Sequence, residues 1–356
     1  MNRVVGFLLK EGCPSIKFRI KKEILGEQDN QLHKEIFQEP LVQKFLKLQG
    51  KSGWIEEDFH GVRGVETACR VFSEKGLEPH FPPFSRMLIQ LERKEETFDL
   101  GSLQRVGKIL DRKGFGGSQM IRASVFARAG WENSDLVREQ TKKALACFAF
   151  VRGVNRIEEI TTLYKGRRVF VEGVMWPGIY HLRLLAFTSH WRTEKNLEII
   201  REGIKKMVEM SPLPWINVRE KSQLISPPGF AMQNFKPVME EMKPGEWMLW
   251  FHRTELIARL GVAREINEIN DQLGYLKRVR QEGDGLFSRK MSHKNFFDWS
   301  PYTGLALERN WRSPVRRISD LSFRSLLIEH FSEGGNPPES GKIIKQNREE
   351  FCGGSN

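Results

Sequence analysis

Apolar residues along this chain recur at helical spacing, and Gly-aromatic or proline-rich punctuation separates the periodic segments. The stretch Pro14 to Gly26 predicts a short amphipathic helix, with proline in the first turn and glycine after the last apolar residue. Pro40 to Leu48 predicts a second, with Leu41, Val42, Phe45, Leu46 and Leu48 as its apolar positions. A nine-residue phrase then repeats: Arg122 to Gly130 and Arg253 to Gly261 both read Arg, two variable residues, two apolar residues, Ala-Arg, an apolar residue and Gly. Looser copies start at Ala68, His181 and Thr303, so successive starts lie 54, 59, 72 and 50 residues apart. A recurrence of that length is the mark of stacked helical hairpins. Gly-aromatic turns precede the copies at Gly53-Trp54, Gly114-Phe115, Gly173 to Trp176, Gly245 to Trp247 and Gly285 to Phe287.

Two segments break the pattern. Residues 211–247 hold Pro212, Pro214, Pro227, Pro228, Pro237 and Pro244, which exclude a continuous helix and predict an insertion, read either as a lid or as a surface loop. The tail 331–356, with Gly334, Gly335, Pro337 and Pro338, is expected to be disordered. Strand signals are weak; only Arg168 to Glu172 alternates, too little to predict a sheet. The reading is one all-α domain over residues 1–330.

Helical phase bears on function. With about 100° per residue, Leu249, Leu256 and Leu260 share a narrow sector, and Arg253 falls inside it rather than opposite. Arg122 is bracketed likewise by Val125, Phe126 and Ala129, and His181 holds the matching position beside Tyr180 and Leu184. A charge inside a buried stripe costs several kcal/mol unless paired or solvated. Arg122 and Arg253 therefore bridge neighbouring repeats through Glu66 or Glu255, snorkel to solvent, or open into a wet cavity on which that phase converges.

Charge and cysteine content refine this only a little. The chain carries 57 basic and 45 acidic residues, net +12. Residues 277–324 hold eleven Lys/Arg against five Asp/Glu, and elsewhere the basic residues are spread out. Such a balance admits a phosphate-rich partner or simply a solvated basic surface. No apolar run approaches the roughly 20 residues of a membrane span, and the N-terminus lacks the apolar core of a signal peptide. Cys13, Cys69, Cys147 and Cys352 lie far apart, which suits reduced thiols in a cytoplasm.

Phe45 to Gln49 followed by Gly53-Trp54 resembles the Gln…Gly-x-Trp repeat of terpenoid cyclases and protein prenyltransferases. Leu276, Gln281, Gly283, Gly285 and Phe287 form a looser copy. The resemblance implies an α/α toroid of about five to six helical hairpins around a central cavity, spanning roughly residues 14–330, with the repeated phrase on its inner helices. The family's chemistry does not follow. The Asp-x-Asp-Asp acid and the Asp-rich magnesium helix are missing, and Glu56-Glu57-Asp58 is only a capping run. Asp58, His60 and Cys69 supply zinc-ligand types without a metal-ligand spacing. No phosphate loop, nucleophile elbow or His-Glu-x-x-His is present.

The function expected is therefore a toroid protein with an apolar or amphipathic ligand in its central cavity, an isoprenoid or an anionic-headed molecule, with no cofactor or metal assigned. Arg122, His181, Arg253, His60 and His252 are its candidate polar ligand contacts, and Tyr180, Trp176, Trp250 and Tyr302 its apolar wall. Glu66, His181 and Asp298 are the candidate acid–base groups. The competing reading is a non-catalytic helical scaffold that binds protein or nucleic acid through a basic surface.

Overall fold

The computed structural model describes residues 2–93, 101 and 103–335. Among them the chain is mostly helical. The helices are α1 (Asn2–Glu11), α2 (Pro14–Ile20), α3 (Asn30–Phe37), α4 (Pro40–Leu48), α5 (Val65–Lys75), α6 (Pro82–Arg93) and α7 (Gln104–Arg112). After them come α8 (Ser118–Arg128), α9 (Asp135–Arg152), α10 (Ile179–Ala186), α11 (Glu194–Glu209), α12 (Pro244–Leu260), α13 (Asn267–Glu282) and α14 (Pro314–Ser332). No helix is long and apolar enough to cross a membrane. Of the tail expected to be disordered over 331–356, Phe331 and Ser332 complete α14, and residues 336–356 lie outside the described residues.

Local chemistry accounts for many of the helix ends. Pro14, Pro40, Pro244 and Pro314 each open a helix, where a missing N–H costs nothing. The expected helix from Pro14 is real, but its last turn, Lys21–Leu25, is π-helical and ends on Gly26 in the left-handed region. Gly76 and Gly261 close α5 and α12 in that conformation. Gln49 makes the glutamine–glycine motif physical: its Nε2 donates to the carbonyls of Gly53 and Pro83, both at 2.7 Å, fixing the turn after α4.

Packing follows a simple order. α1 lies on α2, α4 on α5, α7 on α8, α9 on α10 and α13 on α14. Six of the helices also pack side by side in a series that returns to its start: α2 on α5, α5 on α8, α8 on α10, α10 on α12, α12 on α14 and α14 on α2. Helices α8, α10 and α12 are buried along nearly their whole lengths. Connections leaving α5, α8, α10 and α12 are short, whereas the segments entering α5, α10, α12 and α14 are long and irregular.

Three expectations need correction. Arg168 to Glu172 does contribute a strand: β2 (Arg167–Phe170) pairs antiparallel with β1 (Thr161–Tyr164). A second ladder, β3 (Val218–Glu220) with β4 (Gln223–Ile225), lies inside the proline-rich segment. That segment ends at Lys243, because Gly245 to Trp247 is the first turn of α12 and not a loop. The copy starting at Thr303 is not helical; it forms the connection into α14.

Candidate functional site

Helices α5, α8, α10 and α12 enclose a cavity of about 40 Å³ lined by Glu66, Arg70, Glu74, Arg128, Arg183 and Glu255, with His252 and Leu305. A water needs about 10–15 Å³ of such space, so a few fit. Most of the polar lining residues come from the third and seventh positions of the repeated phrase. These are Arg70 and Glu74, Ser124 and Arg128, Arg183, and Glu255, whose partner in the pattern is Arg259. Positions four apart share one helical face.

Below the cavity these groups form one ion-pair network. Glu74 accepts from Arg19 Nη1 (2.9 Å) and Arg324 Nη2 (3.0 Å), and pairs with Arg128 Nη2 (2.8 Å). Glu255 accepts from Arg324 Nη1 (3.0 Å) and from Arg259 Nε and Nη2 (3.1 and 3.0 Å). Glu23 joins Arg19 and Arg259, each at 2.5 Å. Burial pushes the Glu74 carboxyl up, but Arg128, Arg324 and Arg19 outweigh it and hold the group well below the usual range. Glu255 is lowered in the same way by Arg324 and Arg259, against the effect of burial.

Cations exceed acids here. Six guanidinium groups (Arg19, Arg70, Arg128, Arg183, Arg259 and Arg324) meet the carboxylates of Glu23, Glu66, Glu74 and Glu255. Asp320, near Arg324, is committed to the amides of Leu307 and Glu308 and to Trp311 Nε1. Burial, reinforced by Arg183, pulls Arg70 down to about 9. Burial also pulls Arg128 down to about 10 despite Glu74, and its Nε is buried without a hydrogen-bond partner.

At the edge of the cavity lies a second polar cluster. Glu66, in the first turn of α5, accepts from His60 Nδ1 and from the Tyr180 hydroxyl, both at 2.6 Å. His60 Nε2 is 3.2 Å from the Tyr302 hydroxyl, and the rings of His60, Tyr180 and Tyr302 pack together, with Phe230 against Tyr302. Arg183 stands 4.0 Å from Glu66 and donates to His252 Nε2 at 3.2 Å. The loop carrying Tyr302 is clamped by two buried cations. Arg183 donates to Pro301 O (2.7 Å), and Arg70 to Ser300 O (2.7 Å), Gly304 O (2.5 Å) and Thr303 O.

Titration behaviour separates the two histidines. Burial pulls His60 down, yet the Glu66 carboxylate more than compensates and its pKa is raised. Burial together with Arg183 and Arg70 holds His252 well below its ordinary value, so it stays a neutral acceptor. Tyr302 is pushed up to about 12 by burial and by Glu66, and remains a neutral phenol. A carboxylate orienting an imidazole whose other nitrogen faces a hydroxyl is the arrangement of a general acid–base pair. No family model, no curated protein and no solved structure matches the chain.

Of the residues singled out in the sequence, Glu66, His60, Tyr180, Tyr302 and His252 come together here. The others do not. Arg122 donates to Leu91 O (3.0 Å) and Glu92 O (3.3 Å), carbonyls of the last turn of α6, and to Gln119 Oε1 (3.1 Å). Arg253 donates to Ala231 O (2.8 Å) and Asn234 O (2.6 Å), fixing the proline-rich segment. Neither Arg122 nor Arg253 bonds Glu66 or Glu255, and neither lines the cavity. His181 accepts from Gly178 N at 2.9 Å. Asp298 is exposed. Trp250 donates to Gln272 Oε1 (2.7 Å) on α13 and packs on Trp247 and Phe251, while Trp176 packs on Phe170. Arg70, Arg128 and Arg183 were missed; the i,i+4 charges Arg70 with Glu74 and Glu255 with Arg259, at the third and seventh positions of two copies, were the signal that could have found this face.

Proposed function

We propose that the chain is an α/α toroid of the terpenoid-cyclase and prenyltransferase type in architecture. The closed series of side-by-side helices, each with a second helix behind it in most positions, supports that reading. Its axial site is proposed to bind a small anionic molecule and to move a proton to or from it through His60.

The carrying observation is the Glu66–His60–Tyr302 chain, with hydrogen-bond distances of 2.6 and 3.2 Å, at the edge of a cavity lined by three guanidinium groups and three carboxylates, within a network in which six guanidinium groups meet four carboxylates. Buried excess cation is costly unless an anion neutralises it. A small volume with charged groups in its lining suits a carboxylate or phosphoryl group better than an isoprenoid chain. Glu66 orients His60 and stabilises its protonated form, while Tyr302 supplies a neutral hydroxyl beside it.

The test is incubation of the protein with an anionic metabolite fraction in D2O, read by mass spectrometry, alongside native mass spectrometry of the purified protein. The expected result is one anionic compound retained by the protein and either converted or deuterated, with the change lost in His60→Gln. Retention of no anion and exchange in none would refute the reading.

A further inference from the structure

A second cavity is much larger than the axial one. A cleft of about 470 Å³ opens between the end of α7, the outer side of α9, the turn 113–117 and the segment 170–175. Its volume lies within the range of small-molecule pockets, roughly 300–1,000 Å³. Phe115, Met120, Phe170 and Val174 are buried and form its apolar floor. Arg112, Lys113, Lys143 and Arg219 stand around it, against Asp111 and Glu172.

The acids near this cleft are committed. Asp111 accepts from Gly117 N (2.7 Å), Gln119 N (2.9 Å) and Met120 N (3.5 Å), the open amides at the start of α8. Glu172 is 88% exposed and touches Lys113 at 3.1 Å. Glu220 pairs with Arg112 (2.8 Å) and Lys113 (3.5 Å), and Lys143 reaches Glu139 at 2.7 Å. Arg219 has no carboxylate partner among the described residues; it lies over the Tyr164 ring and donates to Lys221 O at 2.9 Å. Exposed pairs of this kind are worth at most about 1 kcal/mol, so an entering anion competes with them easily.

At the buried end stands His181. Gly178 N donates to its Nδ1, so the neutral ring carries its proton on Nε2. Burial draws its pKa down to about 4, which keeps the ring neutral at physiological pH. The acceptor facing that Nε2–H is the Cys147 sulfur at 3.6 Å, and the thiol itself donates to Gly114 O at 3.3 Å. Sulfur is a weak acceptor, so an oxygen would make the better bond. The Gly114-Phe-Gly-Gly117 turn keeps this floor open: a Cβ on Gly116 would sit 2.6 Å from His181 Cε1, and one on Gly114 would sit 2.7 Å from Met175 Cγ.

We propose that this cleft is a second ligand site, separate from the axis, for an amphipathic organic anion of drug size. Its apolar body lies on Phe115, Met120, Phe170 and Val174, an oxygen acceptor takes the His181 Nε2–H, and its acidic group lies among Lys113, Lys143 and Arg219.

Two probes test it: 8-anilinonaphthalene-1-sulfonate by fluorescence, and decanoate by displacement of that dye. Ala146→Trp, on the exposed side of α9 at the cleft wall, fills the space without touching the core. The expected results are saturable binding of both probes, an at least tenfold loss in Ala146→Trp, and a several-fold loss in Lys143→Glu/Arg219→Glu that fades at high salt. Arg183→Gln, in the axial site, leaves both affinities unchanged. Far-UV circular dichroism checks that each variant is folded. Absence of saturable binding, or an Ala146→Trp affinity within twofold of wild type, overturns the proposal.

Discussion

Glu74→Gln is the sharpest test of how the centre of this molecule is held. The carboxylate lies 2.8–3.0 Å from the guanidinium groups of Arg19, Arg128 and Arg324, and its side chain is only 5% exposed. Glutamine keeps the shape and one acceptor but removes the charge that compensates three buried cations. Breaking one buried pair costs about 3–5 kcal/mol, because the remaining charge is left without compensation. Three partners do not triple that cost, since Glu255 and Glu23 continue to serve Arg19 and Arg324. The expected loss is therefore about 3–5 kcal/mol, a large share of the 5–15 kcal/mol typical of a folded domain. Urea unfolding followed by circular dichroism at pH 7 measures it. The carboxyl is held below its unfolded value of 4.5, so its contribution is fully present above that pH and is lost as pH falls through the folded pKa. Wild type and Glu74→Gln thus converge in acid. Adding Arg128→Met to Glu74→Gln removes the cation whose one ion pair among the described residues is with Glu74, and recovers about 1–3 kcal/mol as coupling energy. A loss below 1 kcal/mol at pH 7, or no coupling, would sink the argument that this network is a fully desolvated charge cluster.

Other outcomes follow from single groups. His60 is expected to titrate above its unperturbed 6.5 by histidine NMR, and to fall in Glu66→Gln, which removes the carboxylate that raises it. With its folded pKa raised, the stabilisation from His60 is fully present below 6.5 and disappears as pH rises through that pKa, so His60→Gln destabilises more at pH 6 than at pH 9; equal effects would contradict the assignment. Arg253→Met should cost about 1–3 kcal/mol by orphaning the carbonyls of Ala231 and Asn234, and should speed proteolysis between residues 211 and 243; unchanged cleavage would show that the arginine does not pin that segment. Gly116→Ala, with φ of +73° and His181 in the way, should lose about 1–3 kcal/mol by thermal or urea unfolding; a neutral result would mean that the turn relaxes.

Sequence alone determined the helical class, and four of the five copies of the phrase lie on helices, because the period of apolar residues and the proline and glycine signals at helix ends are local. The starts at Pro14 and Pro40 and the cap at Gly26 are cases in which one residue's own geometry is enough. It also named Glu66, His60, Tyr180, Tyr302 and His252 without any means of joining them, since His60 and Tyr302 lie 242 positions apart. The error lay in the phase of the repeated helix. An apolar stripe identifies the buried face only when the opposite face meets water. Helices α8, α10 and α12 are buried nearly all round, so the stripe bearing Arg122 and Arg253 says nothing about which side faces the cavity. Only packing showed that the third and seventh positions turn inward, while Arg122 and Arg253 at the first position turn away to hold backbone carbonyls of neighbouring segments. A buried charge reveals that it has partners; which ones is decided by the elements brought against it.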